Sequence, residues 1–326
     1  MTRNSRRIAK KYEAKRQHYV SKGYLEAWHD QNKLPREYPY VWVYSRTDKD
    51  EWDGGKKKSP KKLFRESNFY TKYSGLQPEE RDISLELLLG KIESDFCKVR
   101  RDILTHHLPI ENDTREVLAA FIASTQWRTP GSKEHIRSQW QPVLDRLKSM
   151  QSAMSDMTPS EINKLSTGIG TSSKGNYITE TDVEEIVREP LQTTLPSYIA
   201  QLAPRLCNLN MSILYTARSP GFITSDEPCL WFDPEAYKRP PMYRSPALMY
   251  ESVEITLPLS PNLMALISHH DFPEYFDLDN ADFLDKALND LNRRTCCHSR
   301  KSIIVNRQEF RKIWTDRGKK PHESPE

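Results

Sequence analysis

Glycine is scarce in this chain, with eleven in 326 residues. No Gly-rich loop of the kind that cradles a nucleotide phosphate is present, and no nucleophile elbow. Cysteine is scarce as well. The five cysteines are an odd number with no C-x-x-C pair, which excludes a paired disulfide framework and points to reduced thiols in a cytoplasmic protein. Cys296-Cys297-His298 and His269-His270-Asp271 are runs of adjacent residues without structural-zinc spacing. Long apolar runs are missing: none approaches the roughly 20 residues of a membrane span, so no membrane contact is expected. Met1 to Arg7 carry charge without a following apolar segment, so no secretory signal is expected.

What is present is bulk. Seven Trp, fifteen Tyr and ten Phe supply a core despite 37% hydrophobic content and a mean hydropathy of -0.77, and they argue against wholesale disorder. The length allows one large or two smaller domains. The net charge of +4 is modest, but the cations cluster. Arg3, Arg6, Arg7, Lys10, Lys11, Lys15 and Arg16 face only Glu13. Lys56, Lys57, Lys58, Lys61, Lys62 and Arg65 form a second group, and Arg311, Lys312, Arg317, Lys319 and Lys320 a third. Such groups can track the phosphates of a nucleic acid, or they are solvated tails and loops.

The pattern along the chain predicts an α+β fold: a helical core, with a small, mostly antiparallel sheet formed largely by the C-terminal half. Residues 1–16 form a basic arm, partly helical. Residues 17–306 form one domain, and 307–326 a polar tail. Residues 17–30 read as a helix or turn-helix, 41–44 as a strand, and 48–60 as a loop. Leu85, Leu88, Leu89, Ile92, Phe96, Val99 and Ile103 recur at spacings of three and four and predict a helix over 83–105. Asp113 and Glu116 have the spacing of a capping box, and Pro130 ends that next helix near Arg128. A further helix covers 132–150. Residues 151–178, rich in Ser, Thr, Gly and Asn, read as a mobile loop. A helix pair over 180–217 follows, then strands at 222–224, 229–232, 253–257 and 263–267, a helix near 280–296, and a last strand at 302–305.

Several short pieces then stand in order: Gln17-His18-Tyr19-Val20 with Tyr24-Leu25, Val41-Trp42-Val43-Tyr44, Glu66-Ser67-Asn68-Phe69-Tyr70, and Ile92-Glu93. They continue with Gln126-Trp127-Arg128-Thr129-Pro130, Phe222 to Pro228, Leu257-Pro258-Leu259-Ser260-Pro261, and Asn292-Arg293-Arg294. This ordered set resembles a bacterial domain-of-unknown-function family, the one numbered four thousand two hundred and thirty-eight. The family usually has proline after its His-Tyr-Val triplet; Ser21 stands there in this chain, a change expected to loosen the local backbone. The resemblance implies a prokaryotic, cytoplasmic protein of a kind sometimes found among phage-defence or mobile-element genes. It supplies no mechanism.

The polar members of these pieces are the candidate site. His18, Glu93, Arg128 and Asp226 are the candidate catalytic residues, with Asn68, Tyr70, Ser225 and Asn292 as binding residues. His18 is the side chain whose charge changes near neutrality; Glu93 or Asp226 can orient it. Arg128 can hold a phosphate or carboxylate in its planar fork. On the predicted helix Glu86, Glu93 and Arg100 share one side, about 60–100° from the apolar stripe. Two carboxylates there, joined by Asp226, can bind a divalent metal. The alternative is a buried polar network that fixes packing, with Glu93 paired to Arg100 or a lysine. Separately, Arg101 and His106 resemble the R-x4-6-H signature of HEPN ribonucleases, which cleave RNA without metal; a helix C-terminus favours the same residue types. Three functions therefore remain open: an enzyme acting on a phosphodiester, a nuclease-like effector of phage defence; a non-catalytic module binding nucleic acid or protein; and a HEPN-like ribonuclease.

Overall fold

The computed structural model describes residues 16–49, 51–73, 81–155, 157–158, 178–280 and 284–315. The basic leader before Arg16, most of the 151–178 stretch and the basic residues beyond Thr315 lie outside the described residues.

The chain enters on a short strand, β1 (Arg16–His18), and turns into a four-residue helix, α1 (Lys22–Leu25). Ser21 does not loosen this turn. Its Oγ accepts the Tyr24 N–H at 3.4 Å, as a helix N-cap. Its φ of -53° is the value a proline would impose, so either residue fits the backbone. Next come β2 (Val41–Ser45), β3 (Lys56–Lys58), β4 (Arg65–Ser67), β5 (Lys72–Tyr73) and β6 (Arg81–Asp82). The stretch 48–60, expected as loop, thus contains β3, an edge strand whose three lysines face solvent, a common way of protecting a sheet edge.

The long amphipathic helix is α2 (Ser84–Asp102), which buries Leu85, Leu89 and Phe96. Helix α3 (Asn112–Trp127) follows; Glu111 takes the N-cap position without a side-chain bond, so the expected Asp113–Glu116 box does not form. Trp127 ends α3, and Pro130 opens α4 (Pro130–Ser155), where its missing N–H costs nothing. Helices α5 (Glu180–Arg188) and α6 (Pro190–Cys207) come next. The second helix of that pair was expected to reach 217 but ends at Cys207. Asn210–Tyr215 is instead the strand β7, whose backbone pairs with a neighbour farther along the chain. The rest is β8 (Thr224–Ser225), β9 (Leu230–Phe232), β10 (Glu254–Ser260), β11 (Leu263–Ser268), β12 (Tyr275–Asp277), α7 (Leu284–His298) and β13 (Ser302–Val305).

The fold is α+β. Its largest sheet lies in the C-terminal half, ordered β12-β7-β11-β10-β9, antiparallel except where β12 joins β7. A second sheet, β3-β2-β13-β8, is antiparallel throughout and joins strands of the N-terminal part of the chain to β13 and β8 of the C-terminal half. Helix α3 packs most extensively on α6 and also against α2. The Phe96 and Phe121 rings stack between α2 and α3 at 3.7 Å. Tyr24, Trp28, Leu118, Ile122, Leu206, Ile255 and Ile304 belong to the same buried cluster. Two hydrogen bonds anchor the polar ends of the α1 aromatics: Tyr24 with the Thr224 hydroxyl at 2.5 Å, and Trp28 Nε1 to the Phe222 carbonyl at 2.9 Å. Gly221 permits the strand entry that follows. Its φ is +71°, and a Cβ there would fall 2.0 Å from the Pro261 carbonyl oxygen.

Candidate functional site

The pairing of β1 with β4, His18 opposite Arg65, begins the site. Gln17 lies beside it, buried, and spends its whole amide on fixing this strand. Its Nε2 donates to Thr71 Oγ1 at 3.2 Å and to Glu86 Oε2 at 2.9 Å, and its Oε1 accepts the Tyr70 N–H at 2.6 Å. β1, the 68–71 turn and α2 are thereby held together. Tyr70 adds a brace: its one hydroxyl proton is shared between the carbonyls of His18 and Arg128, both at 3.3 Å. The result is a cavity of about 440 Å³ whose lining includes Arg16, His18, Lys22, Tyr70, Glu86 and Glu93. The shared side of α2 expected for Glu86 and Glu93 is the side that faces it.

His18 is half-buried. Burial pulls its pKa below the ordinary histidine value; the carbonyls of Lys61 and Pro60 and the Glu93 carboxylate push the other way. The net shift is downward, which favours the neutral ring, the form a general base uses. Its Nε2 is sealed without a hydrogen-bond partner. Behind Glu93 sits Arg128, with 1% of its side chain exposed, its Nη1 on Glu93 Oε1 at 2.6 Å. Burial opposes the Arg128 charge, but Glu93 outweighs it and the guanidinium is held above its usual pKa. Arg100, the other partner considered for Glu93, instead donates to the carbonyls of Gly23, Tyr24 and Leu259.

The opposite side of the Arg128 turn forms a second cavity, of about 570 Å³. Thr129 Oγ1 accepts the Ser132 N–H at 3.2 Å and caps α4. Glu227 approaches the same first turn. It comes so close that a Cβ on Gly131 would lie 2.4 Å from Glu227 Oε1 and 3.0 Å from Arg300 Nη1. Burial and the neighbouring Asp226 raise the Glu227 carboxyl to about 7, with Arg300 and the Thr129 hydroxyl pulling down. Asp226 itself is buried and turned to the backbone, accepting the Arg300 N–H at 3.1 Å and the Lys301 N–H at 2.8 Å where α7 gives way to β13.

The structure therefore brings His18, Tyr70, Glu93 and Arg128 together and leaves Asp226 beside the other cavity. Ser225 is fully buried and its Oγ accepts the Glu227 N–H at 3.1 Å. Asn292, also buried, accepts the Ile223 N–H at 3.0 Å and donates to the Gly221 carbonyl at 2.8 Å. Asn68 sits at φ +55° in the turn that presents Tyr70. Arg101 is exposed and bonded twice to Asp102, at 2.6 and 2.9 Å. His106 lies beyond the end of α2 on a 3-10 turn, and neither residue lines the two cavities. Among the described residues no three His, Cys, Asp or Glu side chains group as metal ligands; the set of Glu86, Glu93 and Asp226 is not assembled. The lysines of β3 are partly neutralised, Lys56 by Asp53 and Lys57 by Glu37. No described helix is long and apolar enough to cross a membrane.

Glu227, Gly131, Arg300 and His298 were missed from the sequence, although two of the ordered pieces, Gln126 to Pro130 and Phe222 to Pro228, meet at their cavity. Their proximity in order was legible; that Gly131 leaves room for Glu227 was not. No curated protein and no solved structure matches the chain. A family model does match, over residues 16–309, and so takes in both cavities and the turn between them: the chain belongs to the family described as protein of unknown function (DUF4238).

Proposed function

We propose that this protein is a hydrolase acting on phosphodiesters, a nuclease-like effector of the kind that serves phage defence, with the His18 cavity as its site. The observation that carries the reading is a half-buried His18 that shares a cavity with Glu93, Arg16 and Lys22. His18 takes a proton from an attacking hydroxyl or water once its sealed Nε2 is uncovered by a side-chain rotation. Glu93 favours the imidazolium as it forms. Arg16 supplies positive charge for the phosphate, while Lys22 is partly neutralised by Glu26 at 3.0 Å. Arg128 is sealed behind Glu93 and serves as a positioning residue, holding the carboxylate in place. A bacterial cytoplasmic setting accords with this reading through the family's phage-defence associations.

A second reading, a non-catalytic nucleic-acid or protein-binding module, draws support from Ser225, Asp226 and Asn292, whose polar atoms are engaged inside the fold. One experiment separates the two. Purified protein is incubated with end-labelled single- and double-stranded RNA and DNA, with magnesium or with a chelator. In parallel, expression toxicity is compared for wild type, His18→Ala and Asp226→Ala. Cleavage and toxicity that vanish in folded His18→Ala support the enzyme. Salt-dependent binding without cleavage, or equal toxicity in all three, favours the module.

A further inference from the structure

The cavity beside Glu227 differs in chemistry from the one beside His18. Its one guanidinium faces two carboxylates: Arg300 meets Glu134 at 3.0 Å and stands 3.9 Å from Glu227. No cation is left over to anchor a phosphate. Most of the polar lining is neutral, including Thr125, Gln126, Thr129 and Ser132, and the Trp127 indole adds an aromatic surface. Three of these residues carry an unmet demand, Trp127 through its indole Nε1. Thr125 is 3% exposed, and its Oγ1 and the Oε1 of Gln126 are buried without hydrogen-bond partners. Buried polar atoms in native proteins are nearly always paired, by protein, water or ligand. A volume of about 570 Å³ is in the range of small-molecule sites.

The occupant these features fit is uncharged, flat on one face and edged with N–H donors. We propose that this cavity binds a nucleoside through its base, with Trp127 against the ring face and Glu227 and Gln126 accepting N–H groups from the base edge. Guanosine, which presents two adjacent donors, is the best-matched probe. The proposal is independent of the chemistry assigned to His18. Gly131 is what makes the site possible, because any Cβ there displaces both Glu227 and Arg300. These are flexible side-chain ends, so an alanine should fold normally and lose the ligand; alanine is also the better residue in a helix.

The full-length protein is titrated with guanosine, adenosine, cytidine, uridine and free ribose, by calorimetry and by tryptophan fluorescence. Guanosine should bind most tightly and ribose not at all. At pH 8, where the Glu227 carboxyl is ionised, Gly131→Ala and Glu227→Gln should each weaken guanosine by ~10-fold or more, the loss expected when a charge-assisted bond is removed, with unchanged circular dichroism. His18→Ala should bind guanosine as wild type does, while losing any phosphodiester cleavage. The proposal is overturned if no nucleoside binds at millimolar concentration, if ribose competes as well as guanosine, or if folded Gly131→Ala binds undiminished.

Discussion

Glu93→Gln, Arg128→Met and the double variant form a cycle whose outcome follows from burial. Arg128 is 1% exposed and its ion pair is with Glu93, itself 26% exposed. Replacing Glu93 by Gln keeps a carbonyl oxygen for Nη1 but removes the only neutralising charge in that bond. The guanidinium is then buried uncompensated, and breaking such a pair costs about 3–5 kcal/mol. The retained neutral hydrogen bond puts the expected loss near 3 kcal/mol. Arg128→Met leaves the opposite orphan. Glu93 borders the cavity, where water can solvate it, so this loss should be smaller, about 1–2 kcal/mol. In the double variant neither charge remains, and stability should recover by at least about 1 kcal/mol over Glu93→Gln alone. Urea unfolding at pH 7, followed by tryptophan fluorescence, measures all four species. A Glu93→Gln loss below about 1 kcal/mol, or additive single losses, would refute the assignment of Arg128 as a buried charge held by Glu93.

Three further outcomes are expected. Because the folded Glu227 carboxyl is raised from its ordinary 4.5 to about 7, the folded state holds that proton more tightly than the unfolded chain. Its contribution is therefore present at low pH and lost as pH rises through that window. With solvent screening allowed for, Glu227→Gln should gain on wild type by about 1–2 kcal/mol between pH 5 and pH 8, and parallel pH–stability curves would contradict this. Gly221→Ala places a methyl on the Pro261 carbonyl at a φ of +71° and should cost more than about 2 kcal/mol in thermal or urea unfolding; a near-wild-type melt would count against the backbone described. Arg101→Ala with His106→Ala removes two exposed side chains outside both cavities, so stability should stay within about 0.5 kcal/mol and any cleavage should persist. Loss of cleavage in that folded variant would favour the HEPN-like alternative.

The parts of the fold that could be read from sequence were those where one periodicity dominates. α2 was visible because Leu85, Leu89, Ile92 and Phe96 mark one helical face, and β13 because Ser302-Ile303-Ile304-Val305 is short and β-branched. β7 was not, because Asn210–Tyr215 follows α6 without a proline or glycine stop and its apolar run fits either period. What decides it is β11, farther along the chain, which supplies the hydrogen bonds. The site divides in the same way. That Glu86 and Glu93 share a side follows from helix geometry alone. That Arg128, rather than Arg100, neutralises Glu93 depends on how α2 and α3 cross, and no local pattern encodes that. Asp226 was selected for its charge, yet its neighbour Glu227 is the one that reaches a cavity, because Asp226 is turned to the Arg300 and Lys301 amides.

The turn from α3 to α4 explains why both cavities are where they are. Pro130 stops the first helix from running on, so Trp127, Arg128 and Thr129 point in divergent directions. Trp127 and Thr129 line the cavity of Glu227, and Arg128 reaches the other way to Glu93. The turn is held from three sides: Thr129 caps α4 through Ser132, the Arg128 carbonyl receives the Tyr70 hydroxyl, and the Arg128 guanidinium is paired. Arg128 and Thr129 are both buried. A segment so constrained cannot shift for one cavity alone. The turn thus touches both sites, His18 through the Tyr70 hydroxyl and Glu227 through Thr129, so a substitution in it is expected to act on both.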